Sequence, residues 1–360
     1  MKSTLQTLLG ICLLLLITRS NILAQGCVAI RSTGGLCAMD EHPDSALKNG
    51  QWLFNSNGRY YQSFRHFVGK QEQFQRIALG NNVINTVETE DLSLTRIFND
   101  RWSVSVTLPF AVNRRSQLAG TTRFSTRSAG MGDIRAAGYY WLLDPAKVHN
   151  FNVQLGLGIK FATGKDNAED YFLQSNGTRL LGPVDQSIQL GDGGTGYTLE
   201  LNTFYNLSHK FGFYGNFFYL SNPADVNGTP RSATAASATA IAITSDVESI
   251  PDQMLLRIGA SYVVKRFDFT LGLREDCLPV HDLIGESDGF RRPGKIYSAE
   301  PGITYRIKNI ALYALVPVAI VRDRTQSVPD QRQTALTGTY SQGDAAFADY
   351  VINVGLTVKF

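Results

Sequence analysis

Nine charged residues sit on the polar side of alternating stretches: Asp91, Asp133, Arg135, Lys160, Glu200, Arg257, Arg274, Glu300 and Arg306. Acids and bases are mixed, and their spacing is neither that of a metal-ligand set nor that of a nucleophile beside its base. Such side chains facing one another across an enclosed space form ion pairs. Lining a pore, they select what passes, as charged rings do. The two readings are compatible, since a mixed-charge constriction braces and selects together. A second group is GESDGFRRPG, where Phe290, Arg291 and Arg292 offer a ring and two guanidinium forks. These suit an anionic or aromatic ligand, or simply a solvated turn.

What positions these residues is a set of period-two segments, the mark of strands with one apolar and one polar face. WSVSVTLPFAV places Trp102, Val104, Val106, Leu108, Phe110 and Val112 opposite Ser103, Ser105 and Thr107. FNVQLGLGIKF and FDFTLGLR repeat the pattern, with Phe151 to Phe161 and Phe267 to Leu273 as the apolar rows. About twelve such segments lie near 51–67, 83–98, 101–113, 131–143, 150–163, 194–207, 211–221, 252–264, 267–276, 295–307, 309–321 and 347–360. Their connections alternate in length. Tight turns fall at Asn99-Asp100, Asp144 to Lys147, Ser208 to Lys210, Lys265-Arg266 and Lys308-Asn309, and long polar loops at 68–82, 113–130, 164–193, 222–251, 277–294 and 322–346.

The chain has 360 residues, a formal charge of +3 and only 18% charged residues, which implies no polyelectrolyte partner and no nucleic acid. No stretch past the N-terminus has eighteen consecutive apolar residues, so membrane-spanning helices are not expected. Long loops all at one end, short turns all at the other, and an even strand number instead predict an all-β fold. That fold is a closed antiparallel transmembrane β-barrel of about 12 strands, with short periplasmic turns and long extracellular loops. Aromatics beside the turns (Phe98, Trp102, Trp141, Phe151, Tyr205, Phe211, Phe267 and Tyr305) predict one interfacial girdle.

The first 24 residues have a basic Lys2, an apolar run from about Leu8 to Ile17 and small residues near Ala24, which predicts a secretory signal peptide. A lipoprotein processed before Cys27 is the alternative. A periplasmic segment over 25–50 and a barrel over 51–360 follow. With Cys12 in the signal, Cys27 and Cys37 are the natural disulfide partners across CVAIRSTGGLC, and Cys277 is expected to be a free thiol.

The last strand, VINVGLTVKF, alternates Tyr350, Ile352, Val354, Leu356, Val358 and Phe360 on one face. It resembles the C-terminal signal read by the outer-membrane barrel assembly machinery. TLPF (107–110), GMGDIR (130–135) and GIKFATGK (158–165) resemble motifs of the outer-membrane transporter-like family of the meta-pathway of phenol degradation. The resemblance implies a barrel in the bacterial cell outer membrane, with lipid and the assembly machinery as partners. It implies passage of small molecules, aromatic or hydrophobic ones among them. A structural or adhesive barrel without an open pore is the alternative. Outer-membrane lipid hydrolases also use twelve strands, with Ser, His and Asn. Of His42, His66, His149, His209 and His281, only His66 and His281 fall near the long-loop end, and His281-Asp282 has no serine motif beside it. No catalytic residue, metal or cofactor is assigned.

Overall fold

The computed structural model describes residues 49–360. The proposed signal peptide, most of the segment 25–50 and the Cys27–Cys37 pair lie outside the described residues.

Twelve strands form the barrel wall: β1 (Trp52–Val68), β2 (Ile84–Ile97), β3 (Trp102–Ala119), β4 (Arg135–Trp141), β5 (Phe151–Lys160), β6 (Gly196–Asn206), β7 (Phe211–Ser221), β8 (Gln253–Val264), β9 (Phe267–Leu278), β10 (Gly294–Ile307), β11 (Ile310–Leu315 and Val318–Arg324) and β12 (Ala345–Lys359). Each pairs antiparallel with its chain neighbours, and β12 pairs with β1 from Leu53 opposite Lys359 to Tyr61 opposite Val351. Backbone bonds between Trp52 and Phe360, 2.7 and 3.0 Å, finish the seam. Closure leaves no unpaired edge in the wall, a requirement for strands in hydrocarbon.

The exterior is apolar in the manner the alternation predicts. Leu157, Leu271 and Val354 are 60%, 63% and 55% exposed, while the intervening Gln154, Gly272 and Asn353 are buried inside. In water this belt would be bare hydrocarbon, whereas in lipid it meets its own kind, so the fold is that of an outer-membrane barrel. The turn-side girdle is present at Phe98, Trp102, Phe151, Tyr205, Phe267 and Phe360, all exposed. Trp141 departs from expectation. It shares parity with Arg135, points inward and packs edge-to-face on Phe204 with centroids 5.9 Å apart. Proximity to a turn suggested the girdle; strand parity decides otherwise.

Three other expectations change. The stretch 113–130 is no loop: β3 runs on to Ala119, and Thr122–Met131 returns beside it as a hairpin above the wall. The segment at 131–143 therefore begins at Arg135, after a break at Gly132–Ile134. The segment 309–321 reaches Arg324 but is interrupted at Val316-Pro317, because proline has no N–H for the ladder. The long connections carry structure of their own: a hairpin of Glu169–Leu173 with Arg179–Pro183, a short pairing of Val226–Pro230 with Val247–Ser249, and a helix Val328–Thr337 capped by Ser327. At the other end, Lys265 and Lys308 turn the chain with φ of 55° and 52°, a left-handed conformation that side chains adopt reluctantly.

Candidate functional site

All nine charged residues singled out in the sequence face the interior, but they separate into distinct groups. Near the turn end Arg306 donates to Asp268 at 3.2 Å, and Trp141 packs on Phe204. A chain of amides follows, with Asn202 donating to Gln154 at 3.2 Å and Asn216 donating to Asn202 at 2.9 Å. At mid-height Arg257 donates from Nε to Glu300 at 2.8 Å. Arg274 grips Asp276 through two bonds of 2.7 Å and reaches Glu300 at 3.4 Å. On the facing wall Arg135 donates to Glu200 at 2.9 Å, and the Tyr139 hydroxyl donates to the same carboxylate at 3.2 Å. Asp91 lies beside Arg59, whose Nε donates to Asn353 at 3.2 Å. These inward-facing arginines thus have carboxylate or amide partners on the same strand or one or two strands away, in keeping with the cost of burying a lone charge.

The remaining two, Asp133 and Lys160, meet at a joint. Gly132, Gly164 and Gly191 cross so closely that a Cβ on Gly164 would lie 2.9 Å from backbone atoms of both others. The joint is tied by side chains. Ile134 N–H donates to Thr163 Oγ1 at 2.8 Å, Thr163 Oγ1 donates to the Gly132 carbonyl at 3.1 Å, and Gly164 N–H donates to Asp133 Oδ1 at 2.9 Å. Lys160 bridges Asp133, at 3.7 Å, and Asp192. GMGDIR and GIKFATGK, noticed as separate motifs, therefore meet: one supplies the break in the wall, the other the turn that closes it.

Past this joint, Val184–Asp192 folds in from the loop between β5 and β6. Val184 and Ile188 are fully buried, and the Ile188 carbonyl accepts from Asn113 Nδ2 at 3.2 Å and from the Ser128 hydroxyl. Asp185 accepts a bidentate pair from Arg292 at 2.8 and 2.6 Å and pairs with Arg115 at 3.2 Å. Burial alone would raise its carboxyl, but the two guanidiniums outweigh burial and hold it well below the usual carboxylate range. Arg291 is fully buried and bidentate to Asp282 at 2.7 and 2.6 Å. Phe290 lies between the guanidiniums of Arg231 and Arg292, 3.7 and 4.6 Å from its centroid. The forks of Arg291 and Arg292 thus face the protein's own carboxylates: Arg291 braces its own loop through Asp282, and Arg292 fastens that loop to the inserted segment through Asp185.

Between the inserted segment and the wall lies a cavity of about 150 Å³. Asp91, Thr107, Arg135, Lys160 and Thr198 come to it from the strands, Gln186, Gln189, Leu190 and Asp192 from the inserted segment, and Glu248 from the loop between β7 and β8. Asp185, Asp192 and Glu248 were not singled out in the sequence. They sit in loops without periodicity, and only the fold brings them to the wall. Among the described residues no group of three or more His, Cys, Asp or Glu side chains is arranged to hold a metal ion.

No family model matches this chain, and no curated protein matches it. Solved structures do. An outer-membrane channel from Pseudomonas putida F1 superposes with a TM-score of 0.57 at 11% identity, over 89% of this chain and 99% of that one. The beta domain of a Bordetella autotransporter gives 0.45 at 12%, over 87% and 100%, and a mutant monoaromatic hydrocarbon channel gives 0.45 at 10%, over 90% and 94%. The first of these agrees with the wall described above: a closed twelve-stranded antiparallel barrel of the bacterial outer membrane.

Proposed function

We propose that the barrel is an outer-membrane channel for small molecules, entered through the cavity between the inserted segment and the wall. The observation that carries this reading is that cavity. A chamber of about 150 Å³ whose lining joins loop residues to the charged interior is what an entry site above a polar path requires. A space of that volume accommodates a single-ring molecule, and Phe218, Leu220, Leu190 and Leu278 give it apolar walls beside the charges. That supports a small permeant with an apolar body, in line with the resemblance carried by TLPF, GMGDIR and GIKFATGK. The nine interior charges then set selectivity, and Phe360 with the strand before it is the assembly signal.

One observation favours the barrel without an open pore: Arg257, Arg274 and Glu300 are at most 3% exposed and bonded together at mid-height. Liposome swelling with sugars, amino acids and aromatic acids separates the two readings. Uptake of small solutes, enlarged by Glu300→Ser, is the expected result. No swelling with any solute, from either protein, would refute the channel.

A further inference from the structure

Among the described residues, Glu248 is a carboxylate of the outer cavity that forms no ion pair; the opposite charge that acts on it, Arg292, is spent on Asp185 in a bidentate pair. It is 2% exposed and lines the cavity. Its backbone is fixed by the pairing of Val226–Pro230 with Val247–Ser249 and by a bridge to Phe290. Among the described residues, no ion pair or side-chain hydrogen bond reaches its carboxylate, although Gln186 Nε2 donates to the neighbouring Ser249 carbonyl at 2.9 Å. The other charges of the cavity have partners: Lys160 with Asp133 and Asp192, Arg135 with Glu200, and Asp91 beside Arg59. Four carboxylates (Asp91, Asp133, Asp192 and Glu248) and two cationic side chains (Arg135 and Lys160) line it, so the balance favours a positive guest.

We propose that this cavity binds a small organic ammonium cation with an apolar, single-ring-sized body, and that Glu248 is its counter-ion. The inference rests on the cavity being the entry site of the proposed channel, and it names the class of molecule that site takes. The apolar body would lie against Phe218, Leu220 and Leu278, and the ammonium group would supply the charge and the donors that Glu248 lacks. Three charged groups face Glu248: Asp185, Arg292 and Asp166. Burial first, then Asp185, pushes its carboxyl up to about 9, against which Arg292 acts; Asp166 adds to the rise. A carboxyl raised so far keeps its proton at neutral pH, and an arriving cation displaces that proton to the solvent. No bond other than O–H is broken.

The test is titration calorimetry on the full chain in detergent, with benzylamine, benzyl alcohol and benzoate as probes of equal body and different charge. Benzylamine should bind at least tenfold more tightly than either of the others. Runs in two buffers of different ionisation heat should show close to one proton released per amine bound at pH 7. Between pH 6 and 8 the affinity should rise about tenfold per unit, as the carboxylate form becomes available. Glu248→Gln should abolish both the preference and the proton release, and Glu248→Asp should retain part of each; heat-modifiable mobility on gels verifies that both variants fold. Preferential binding of benzoate, equal binding of all three, or amine binding untouched by Glu248→Gln would overturn the proposal. The channel reading is tested separately by swelling. Solute uptake without amine preference would leave the channel and remove the site, and amine binding without uptake would do the reverse.

Discussion

Leu271 offers a clean test of which face meets lipid. It is 63% exposed on β9, and its neighbour Thr270 faces the interior with Asp268 two residues away on the same side. Four residues separate Leu271 from Phe267, an exposed ring at the turn end. At about 3.4 Å per residue and a tilt of roughly 40°, this places Leu271 about 10 Å above the girdle, near the middle of a belt roughly 25 Å tall. An arginine at that depth on the lipid face costs about 2–4 kcal/mol, whereas a lumenal substitution is not charged for transfer into hydrocarbon. Leu155 lies at a similar height on β5, four strands away, so Leu155→Arg should add independently to Leu271→Arg, about 4–8 kcal/mol together. Folding into lipid vesicles, followed by gel mobility over a urea series, reads the effect. Leu271→Arg should shift the midpoint strongly and Thr270→Arg weakly, since Asp268 is within reach of the new guanidinium. Equal damage from the two, or an undamaged Leu271→Arg, would mean that the apolar row does not face lipid.

Other outcomes follow from the same geometry. Replacing Phe360 by Asp, or deleting it, should leave unassembled protein in the periplasm; normal heat-modifiable mobility of the variant would contradict the assembly role. Cys27 and Cys37 should be joined, stabilising by roughly 3 kcal/mol in the chain-entropy model. Peptide mapping without reduction checks this, and a bond from either to Cys277, which is buried and free, would contradict it. Asp185, with its carboxyl held below the ordinary range, fastens the inserted segment at any pH above about 3.9, its unfolded value, and lets go as pH falls through the lower folded value. Protease cleavage within 164–193 should therefore begin only well below pH 4, and Asp185→Asn should bring it to pH 7. Gly164→Ala forces a methyl to 2.9 Å from two backbones and should loosen the same joint by about 1–3 kcal/mol, seen as faster cleavage of that loop.

The wall was legible in the sequence because each membrane strand has two solvents, lipid and lumen, and so alternates strictly. Beyond the lipid belt neither face need be apolar, so the alternation disappears, and for that reason RRSQLAGTTRFSTRS read as a loop while it forms the hairpin of β3 with Thr122–Met131, its inner face packed through Thr126 and Ser128. Eight of the nine interior charges follow from strand parity, and Asp133 lies in the break between strands. Their partner Asp192 does not, because how a loop folds back on the wall is not written in the alternation; Asp276, two residues from Arg274 on the same strand, shares its parity and could have been read with it. Trp141 shows the same logic in reverse: applied consistently, the parity that turned Arg135 inward turns Trp141 inward too. GMGDIR and GIKFATGK were visible as strings, but the close crossing that demands Gly164 and Gly191 exists only in three dimensions.

The composition of the interior bears on whether the barrel moves solutes. Buried ion pairs are weak stabilisers, since the desolvation of two charges offsets their attraction, and apolar packing of equal volume does as well or better. A barrel required only to be rigid could fill its lumen with leucine and valine. This one instead places Arg257, Arg274, Glu300 and Asp276 in one bonded cluster at mid-height, and Arg135, Glu200 and Tyr139 in another. Polar contacts of this kind can be exchanged for water or for a polar guest at modest net cost, because each lost hydrogen bond is replaced. Apolar packing has no such exchange, as every displaced side chain leaves a void. In the channel proposed above, a charged interior would keep the path openable, and Glu300, held by both Arg257 and Arg274, is where opening would begin: Glu300→Ser leaves two guanidiniums facing each other, and their repulsion and hydration should widen the constriction.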